Sequence, residues 1–260
     1  MKKNLMELAS ADHLLRPGET LDELRPAGLH IIQAKRGYRF SLDPVLLSDF
    51  TPVAAGDTLV DLGTGSGVVP LLLAARTGAG HIVGVEIQAE LADRARRSVL
   101  LNGLQGRIEI LRGDLRELHD QLPPQSFAVV VANPPFRRPG TGRQAPDAER
   151  AAARHELAGG LSDFLRAAAY LLPDGGRFCI IYLANRLAEL LTTMQGLRLE
   201  PKRLRCVHPR VGERANLVLV EGRKGGRSGL LVEAPLHVYD GKQYSEEILA
   251  IYAKERVPPA

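Results

Sequence analysis

Short apolar runs alternate with amphipathic stretches through most of this chain, and their spacing predicts strand and helix in turn. From residue 58 the pattern gives a strand over 58–62, a Leu- and Ala-rich helix over 67–77 and a strand over 82–86. A helix over 89–101 follows and is stopped by Asn102-Gly103. Next come a strand over 107–111, a short helix over 115–119 and an apolar strand over 127–132. Beyond an Arg-, Pro- and Gly-rich loop at 137–150 lie a helix over 161–172, a strand over 177–183 and a helix over 185–194. This alternation predicts an α/β fold with a mostly parallel twisted sheet and helices on both faces.

The two ends break the pattern. The first stretch, to about Gly28, reads as polar and irregular, with Arg-Pro at 16–17 and again at 25–26. Residues 29–34 and 38–40 flank Lys35-Arg36-Gly37 as a hairpin, and Asp43-Pro44 opens a short helix with Asp43 as its N-cap. Near the other end, 216–221 and 230–239 read as an antiparallel hairpin with a flexible basic tip, before a closing helix that starts near Ser245. The expected division is an N-terminal extension over 1–50 and one compact domain over 51–260.

Composition narrows the class. At 260 residues, 45% of them hydrophobic, the chain can bury a full core in one α/β domain. A formal net charge of +4 permits a nucleic-acid partner without requiring one. The cysteines, Cys179 and Cys206, have neither disulfide-framework nor zinc-type spacing. With no signal-peptide pattern at the N-terminus and no apolar run long enough to span a bilayer, a soluble cytoplasmic protein is expected.

Four segments carry chemistry. Asp61-Leu-Gly-Thr-Gly-Ser-Gly67 falls where the first strand of the alternating series turns into a helix. Glycines there let the backbone approach a ligand, and a helix N-terminus offers free N–H groups. The spacing is Gly-x-Gly-x-Gly, unlike the Gly-x-Gly-x-x-Gly of dinucleotide sites; the bland reading is a tight turn. Glu86 ends the second strand, where a carboxylate can accept from both hydroxyls of a ribose, although alone it would read as a solvated acid. Asp114 follows the third strand and can accept from an adenine amino group, while the Leu115 N–H donates to a ring nitrogen; it can equally serve as a helix N-cap.

The fourth segment, 127–136, runs a buried strand into Asn133-Pro134-Pro135-Phe136. An amine conjugated to a ring or carbonyl is planar and poorly nucleophilic. An Asn oxygen and a prolyl carbonyl at fixed positions can both accept from its NH₂ and make the lone pair available. Proline fixes φ and removes competing donors, and an aromatic face can stack on a flat base. Alone, Asn-Pro could simply mark a strand end. All four segments fall at carboxyl ends of successive strands, the edge where open α/β sheets bind ligands.

Together, Asp61–Gly67, Glu86, Asp114 and Asn133–Phe136 resemble S-adenosylmethionine-dependent amino-methyltransferases of the Rossmann-like class I fold. Ile32-Gln33, Tyr38-Arg-Phe-Ser-Leu-Asp43, Arg154-His-Glu156, Val207-His-Pro209, Ala215-Asn-Leu-Val-Leu219 and Tyr244-Ser-Glu246 look like bacterial enzymes that methylate adenine N6 in valine tRNA beside the anticodon. The resemblance covers residue 29 to the end and makes 51–260 the methyltransferase domain. It implies that Asp61, Gly63, Thr64, Gly65 and Gly67 hold the methionine part of S-adenosylmethionine. Glu86 and Ile87 would take the ribose, and Asp114 and Leu115 the adenine. Asn133, Pro134 and Pro135 would hold the target amine, Asn133 also facing the cofactor, with Phe136 stacked on the base. Members often carry Tyr where this chain has Phe136, and the Asn-Pro-Pro-Phe form also resembles guanine-N2 methyltransferases of ribosomal RNA.

A methyl sulfonium is already electrophilic, so the implied chemistry needs no metal and rests on orientation. The methylated amine is strongly acidic and can lose its proton to water or Asn133, leaving His155 a structural residue. The implied partner is RNA, tRNA first. Its grip is expected from Lys35, Arg36, Arg137, Arg138, Arg143, Lys202, Arg203, Arg205, Arg210, Arg223, Lys224 and Arg227, each alone also readable as plain surface charge. Competing readings are a glutamine methyltransferase, which lacks its usual helical N-terminal domain here, and a DNA adenine enzyme, which would need a longer recognition segment. Outside the methyltransferases stand an NAD-dependent oxidoreductase and a catalytically silent RNA-binding module.

Overall fold

The computed structural model describes residues 12–24, 28–36, 39–135 and 159–254. Its centre is a nine-stranded sheet. Five strands run parallel in the order β5-β4-β3-β6-β7: β3 (Thr58–Leu62), β4 (His81–Glu86), β5 (Ile108–Arg112), β6 (Val129–Ala132) and β7 (Arg177–Leu183). Leu59, Val60, Leu62 and residues 129–132 are wholly buried, which is why these strands read as unbroken apolar runs: helices cover both faces.

One face carries α1 (Asp43–Phe50), α2 (Val68–Arg76), α3 (Ala89–Leu101) and the closing helix α6 (Glu246–Ala253). The other carries a 3-10 segment (Leu115–Asp120), α4 (Leu161–Leu171) and α5 (Leu187–Gly196). Helix α3 shows the reason for its placement: Ala92, Ala95, Ser98 and Val99 form its buried stripe, while charged residues line the rest.

Past β7 the sheet changes direction. β9 (Leu217–Lys224) pairs antiparallel with β7, and β8 (Leu199–His208) pairs antiparallel with β9. The expected C-terminal antiparallel hairpin therefore exists, but it joins β8 to β9. Residues 230–239 do not pair back on β9, because both of its edges are occupied. They supply β10 (Leu231–Val232) and β11 (Leu236–His237), which run parallel along the outer side of β8. A small ribbon of β12 (Tyr239–Asp240) and β13 (Gln243–Tyr244) leads into α6, whose N-cap Ser245 accepts from Ile248 N at 3.3 Å.

The N-terminal stretch also departs from expectation. Residues 29–34 (β2, Leu29–Ala34) pair with an upstream strand, β1 (Glu19–Leu24); of the expected partner segment 38–40, Arg39 and Phe40 form no strand and Tyr38 lies outside the described residues. The charges that made β1 look irregular are matched from outside it. Glu19 accepts from Arg97 at 2.6 Å and from Arg94 at 3.0 Å, both on α3, and Asp22 accepts from Gln33 at 2.6 Å. Helix α1 begins one residue earlier than anticipated, with Leu42 as N-cap and no side-chain cap, so Asp43 lies inside the first turn.

Candidate functional site

The site is assembled at the carboxyl edge of the parallel strands. Asp61 lies opposite Gly84 of β4 and Val131 of β6, and Leu62 lies opposite Val85 and Ala132. The residues that follow, Gly63 and Asn133, therefore leave neighbouring strands side by side. After β3 the chain turns through Gly63, Gly65 and Gly67, at φ values of +71°, +59° and +87° that favour glycine. The N–H groups of Gly63 and Thr64 both donate to Val85 O at 2.9 Å, and Gly67 N donates to Thr64 O at 3.0 Å.

This turn fits closely against its surroundings except at one point. A Cβ on Gly63 would stand 3.1 Å from the Phe164 ring, and one on Gly67 3.2 Å from Ala95 Cβ. At Gly65 a Cβ would meet nothing within 4 Å, so there the backbone faces open space. Gly84 makes room from beneath: a Cβ would lie 2.9 Å from Thr64 Cγ2.

Two carboxylates converge on the turn. Glu86, 5% exposed, accepts from Gly65 N through Oε2 and from Gln88 N through Oε1, both at 2.9 Å. Each oxygen keeps a further lone pair for a ligand hydroxyl. Burial raises this carboxyl above its ordinary range, and the backbone donors of Gln88, Gly65 and Ile87 pull it back. Asp61 is enclosed more completely, and burial pushes its carboxyl up to about 7, with the Glu86 charge adding to the shift. The Thr64 hydroxyl offsets part of this but lies outside hydrogen-bonding geometry; Asp61 Oδ2 and Thr64 Oγ1 are buried with no partner. Buried polar atoms are ordinarily paired, so these two await a donor and a polar ligand group.

Asp114 stands past β5 as the N-cap of the 3-10 segment. Its Oδ1 accepts from Arg116 N at 2.9 Å and from Arg116 Nε at 2.8 Å, and its Oδ2 accepts from the same guanidinium. Arg116 holds this carboxyl below the usual range. The capping role is thus realised, and one lone pair of Oδ2 stays open. Leu115 is buried beside it. Sequence reasoning missed Arg116, although an arginine two residues after an N-cap acid was the available signal. It also missed Gly84, whose place in a strand interior signals close approach.

Asn133 and Pro135 are half-buried and Pro134 is buried. Phe136, Arg137, Arg138, Arg143 and Arg154-His155-Glu156 lie outside the described residues. Among the remaining cations expected to grip a substrate, several serve the fold. Arg203 pairs with Glu221 at 3.0 Å and stacks over Phe50 at 3.9 Å, and Arg205 pairs with Glu247 at 2.7 Å. Arg223 lies opposite Arg177, the first residue of β7. Arg223 and Lys224 therefore sit at the amino edge of the sheet, remote from Asn133. Lys35 and Arg36 are exposed just past β2.

The arrangement fits a ligand with a cationic head near Asp61, a diol near Glu86 and a flat amine-bearing ring near Asp114. The orphaned Asp61 and Thr64 atoms and the open face of Gly65 agree with S-adenosylmethionine in that place.

Comparison with known proteins gives the same direction. The methyltransferase small domain model matches residues 43–196, more than half of the chain. The tRNA1(Val) (adenine(37)-N6)-methyltransferase of Aeromonas salmonicida is 30% identical over 192 residues, 74% of this chain and 79% of that protein. The enzyme of the same name from Porphyromonas gingivalis is 33% identical over 172 residues, 64% of this chain and 67% of that one. A crystal structure described as a predicted O-methyltransferase from Agrobacterium tumefaciens superposes with a TM-score of 0.67 at 26% identity, covering 81% of this chain and 95% of that one. The glycine turn, the paired acids beside it and these matches make the chain a member of the methyltransferase small domain family of S-adenosylmethionine-dependent methyltransferases.

Proposed function

We propose that the protein transfers a methyl group to the N6 amino group of adenine in tRNA, beside the anticodon. One observation carries this reading: Asn133 and Pro134 leave β6 directly alongside the glycine turn that leaves β3. A planar amine accepted by Asn133 Oδ1 and Pro134 O would therefore stand next to the cofactor cradle. The relatives named as tRNA adenine-N6 methyltransferases support the choice of base and RNA.

In this reading S-adenosylmethionine, held by Asp61, Gly63, Thr64, Gly65, Gly67, Glu86, Ile87, Asp114 and Leu115, supplies an electrophilic methyl group when bound. The chain's own residues do the rest. Glu86 fixes the ribose through lone pairs left over from Gly65 and Gln88, and Asp114 Oδ2 accepts from the adenine amine of the cofactor. Asn133 and Pro134 accept from the two target NH₂ hydrogens in a geometry that takes the nitrogen lone pair out of conjugation with the ring and points it at the methyl group; orientation supplies much of the rate. Phe136 stacks on the base once it has left its own stack in the RNA. The proton lost from the methylated amine goes to water or Asn133. The catalytic unit spans 51–260, with 1–50 as an extension whose hairpin packs on α3.

Nucleoside mass spectrometry on tRNA and ribosomal RNA, each incubated with the protein and S-adenosylmethionine, tests the proposal. The expected product is N6-methyladenosine in tRNA. Methylguanosine in ribosomal RNA would instead establish the guanine-N2 reading, and an absence of methylated nucleoside in both would refute RNA methylation.

A further inference from the structure

The family model ends at residue 196, yet the chain continues into β8–α6. Part of that continuation reaches the active-site edge. Val207 pairs with Leu217, which pairs with Leu183 at the carboxyl end of β7, and Ala184 N donates to Asn216 O at 3.0 Å. The turn at 209–216 therefore emerges on the same edge as Asn133. Three strand spacings separate β8 from β6, which amounts to roughly 14 Å at about 4.8 Å per strand.

A second turn, 240–243, is fastened to the first. Tyr239 N donates to Pro209 O at 2.8 Å, and Arg210 Nε donates to Gly241 O at 3.0 Å. The Arg210 guanidinium lies 5.3 Å from the Tyr239 ring, Tyr239 stacks on Tyr244 at 5.3 Å, and Tyr244 on Tyr252 of α6 at 5.8 Å. This column anchors both turns on α6, so their conformational freedom is already largely lost before a partner binds.

Charge on the two turns is divided. Arg210 is engaged by Glu213 at 3.2 Å. Arg214 and Lys242 are exposed, and among the described residues neither has an ion-pair partner; Asp240 is the acid left opposing them. Val211, on the first of these turns, is 80% exposed.

We propose that these two turns are a docking surface for the phosphate backbone of the substrate RNA, with Arg214 and Lys242 as the phosphate contacts. The proposal rests on the RNA reading above and adds where the strand flanking the target base is held. A rigid surface displaced from Asn133 by three strand spacings would contact the RNA flanking a base placed there, not the base itself. Phosphate contacts of this kind position the RNA without reading its sequence.

The test is binding of full-length protein to tRNA by fluorescence anisotropy across a salt series, with steady-state methylation beside it. Removing two phosphate contacts in Arg214→Gln/Lys242→Gln lowers the slope of log K against log salt by about 1.5. It also raises KM for tRNA roughly tenfold at unchanged kcat and unchanged cofactor affinity. Arg214→Lys with Lys242→Arg restores both. Arg198→Gln, which removes an exposed charge just before β8 at the opposite edge of the sheet, leaves slope and KM as they were. If wild type methylates tRNA while the double Gln variant keeps the wild-type slope and KM, the docking surface is wrong and the RNA reading stands. If wild type neither binds nor methylates RNA, the RNA reading fails and this surface falls with it.

Discussion

Arg116 grips Asp114 with a backbone N–H at 2.9 Å, Nε at 2.8 Å and a second guanidinium nitrogen, so the carboxylate assigned to adenine is held by its own neighbour two residues on. The fork fixes the carboxylate plane and leaves one acceptor position on Oδ2. Asp114→Ala is expected to weaken S-adenosylhomocysteine binding about tenfold by calorimetry. It should also cost about 1 kcal/mol of stability, because the N-cap of the 3-10 segment is lost with it. An analogue with inosine in place of adenosine, which lacks the amine, should bind wild type and variant alike.

Glu86 uses one oxygen for Gly65 N and the other for Gln88 N. Glu86→Gln keeps the shape but turns an NH₂ group toward one of those donors. The expected cost is about 1–3 kcal/mol of stability, from a buried donor left without an acceptor. Cofactor affinity should fall at least about tenfold as a ribose acceptor is lost. Thermal unfolding with and without S-adenosylhomocysteine reads both effects.

Asp61 gives the cofactor site a pH dependence of defined sign. Its folded-state pKa, about 7, lies above the unfolded value of 3.8. Its contribution to apo stability is thus complete below about pH 4 and is lost as pH rises toward 7. A cationic ligand group beside it lowers the pKa, so binding releases a proton and tightens as pH rises from about 6 to 8. Calorimetry in buffers of different ionisation enthalpy should detect that release in wild type. Asp61→Asn should bind without it, and its apo form should melt higher at pH 8.

The β1–α3 clamp has the opposite sign. Arg97 first, and Arg94 with it, hold Glu19 down at about 2. The stability this gives is present above the unfolded value of about 4.5 and is lost as pH falls toward 2. Glu19→Gln should cost about 2 kcal/mol at pH 7, since it leaves two arginines without their shared partner. The difference from wild type should shrink as pH falls below about 4.5 and be mostly gone in urea unfolding near pH 2.

The alternating core was legible because β3, β4 and β6 are buried on both faces and read as apolar runs, and because the buried stripe of α3 sits at helical spacing. The proximity of Asp61, Glu86, Asp114 and Asn133 was legible for a related reason: parallel strands bring their carboxyl ends to one edge. β1 was not legible, since Glu19 finds its balancing charges on α3, some 75 residues away. Nor was the partner choice of β10, which depends on both edges of β9 being filled. The remoteness of Arg223 and Lys224 followed from strand direction, which composition does not encode. Arg203 likewise reads as surface charge until Glu221 and Phe50 are seen to enclose it.

The most direct measurement is single-turnover methylation of tRNA by wild type and Asn133→Ala, with cofactor affinity measured on the same preparations. Wild type should form N6-methyladenosine, and the variant should lose at least about a hundredfold in rate while binding S-adenosylhomocysteine as before. A variant that methylates tRNA at the wild-type rate would contradict the role assigned to the Asn133-Pro134 corner.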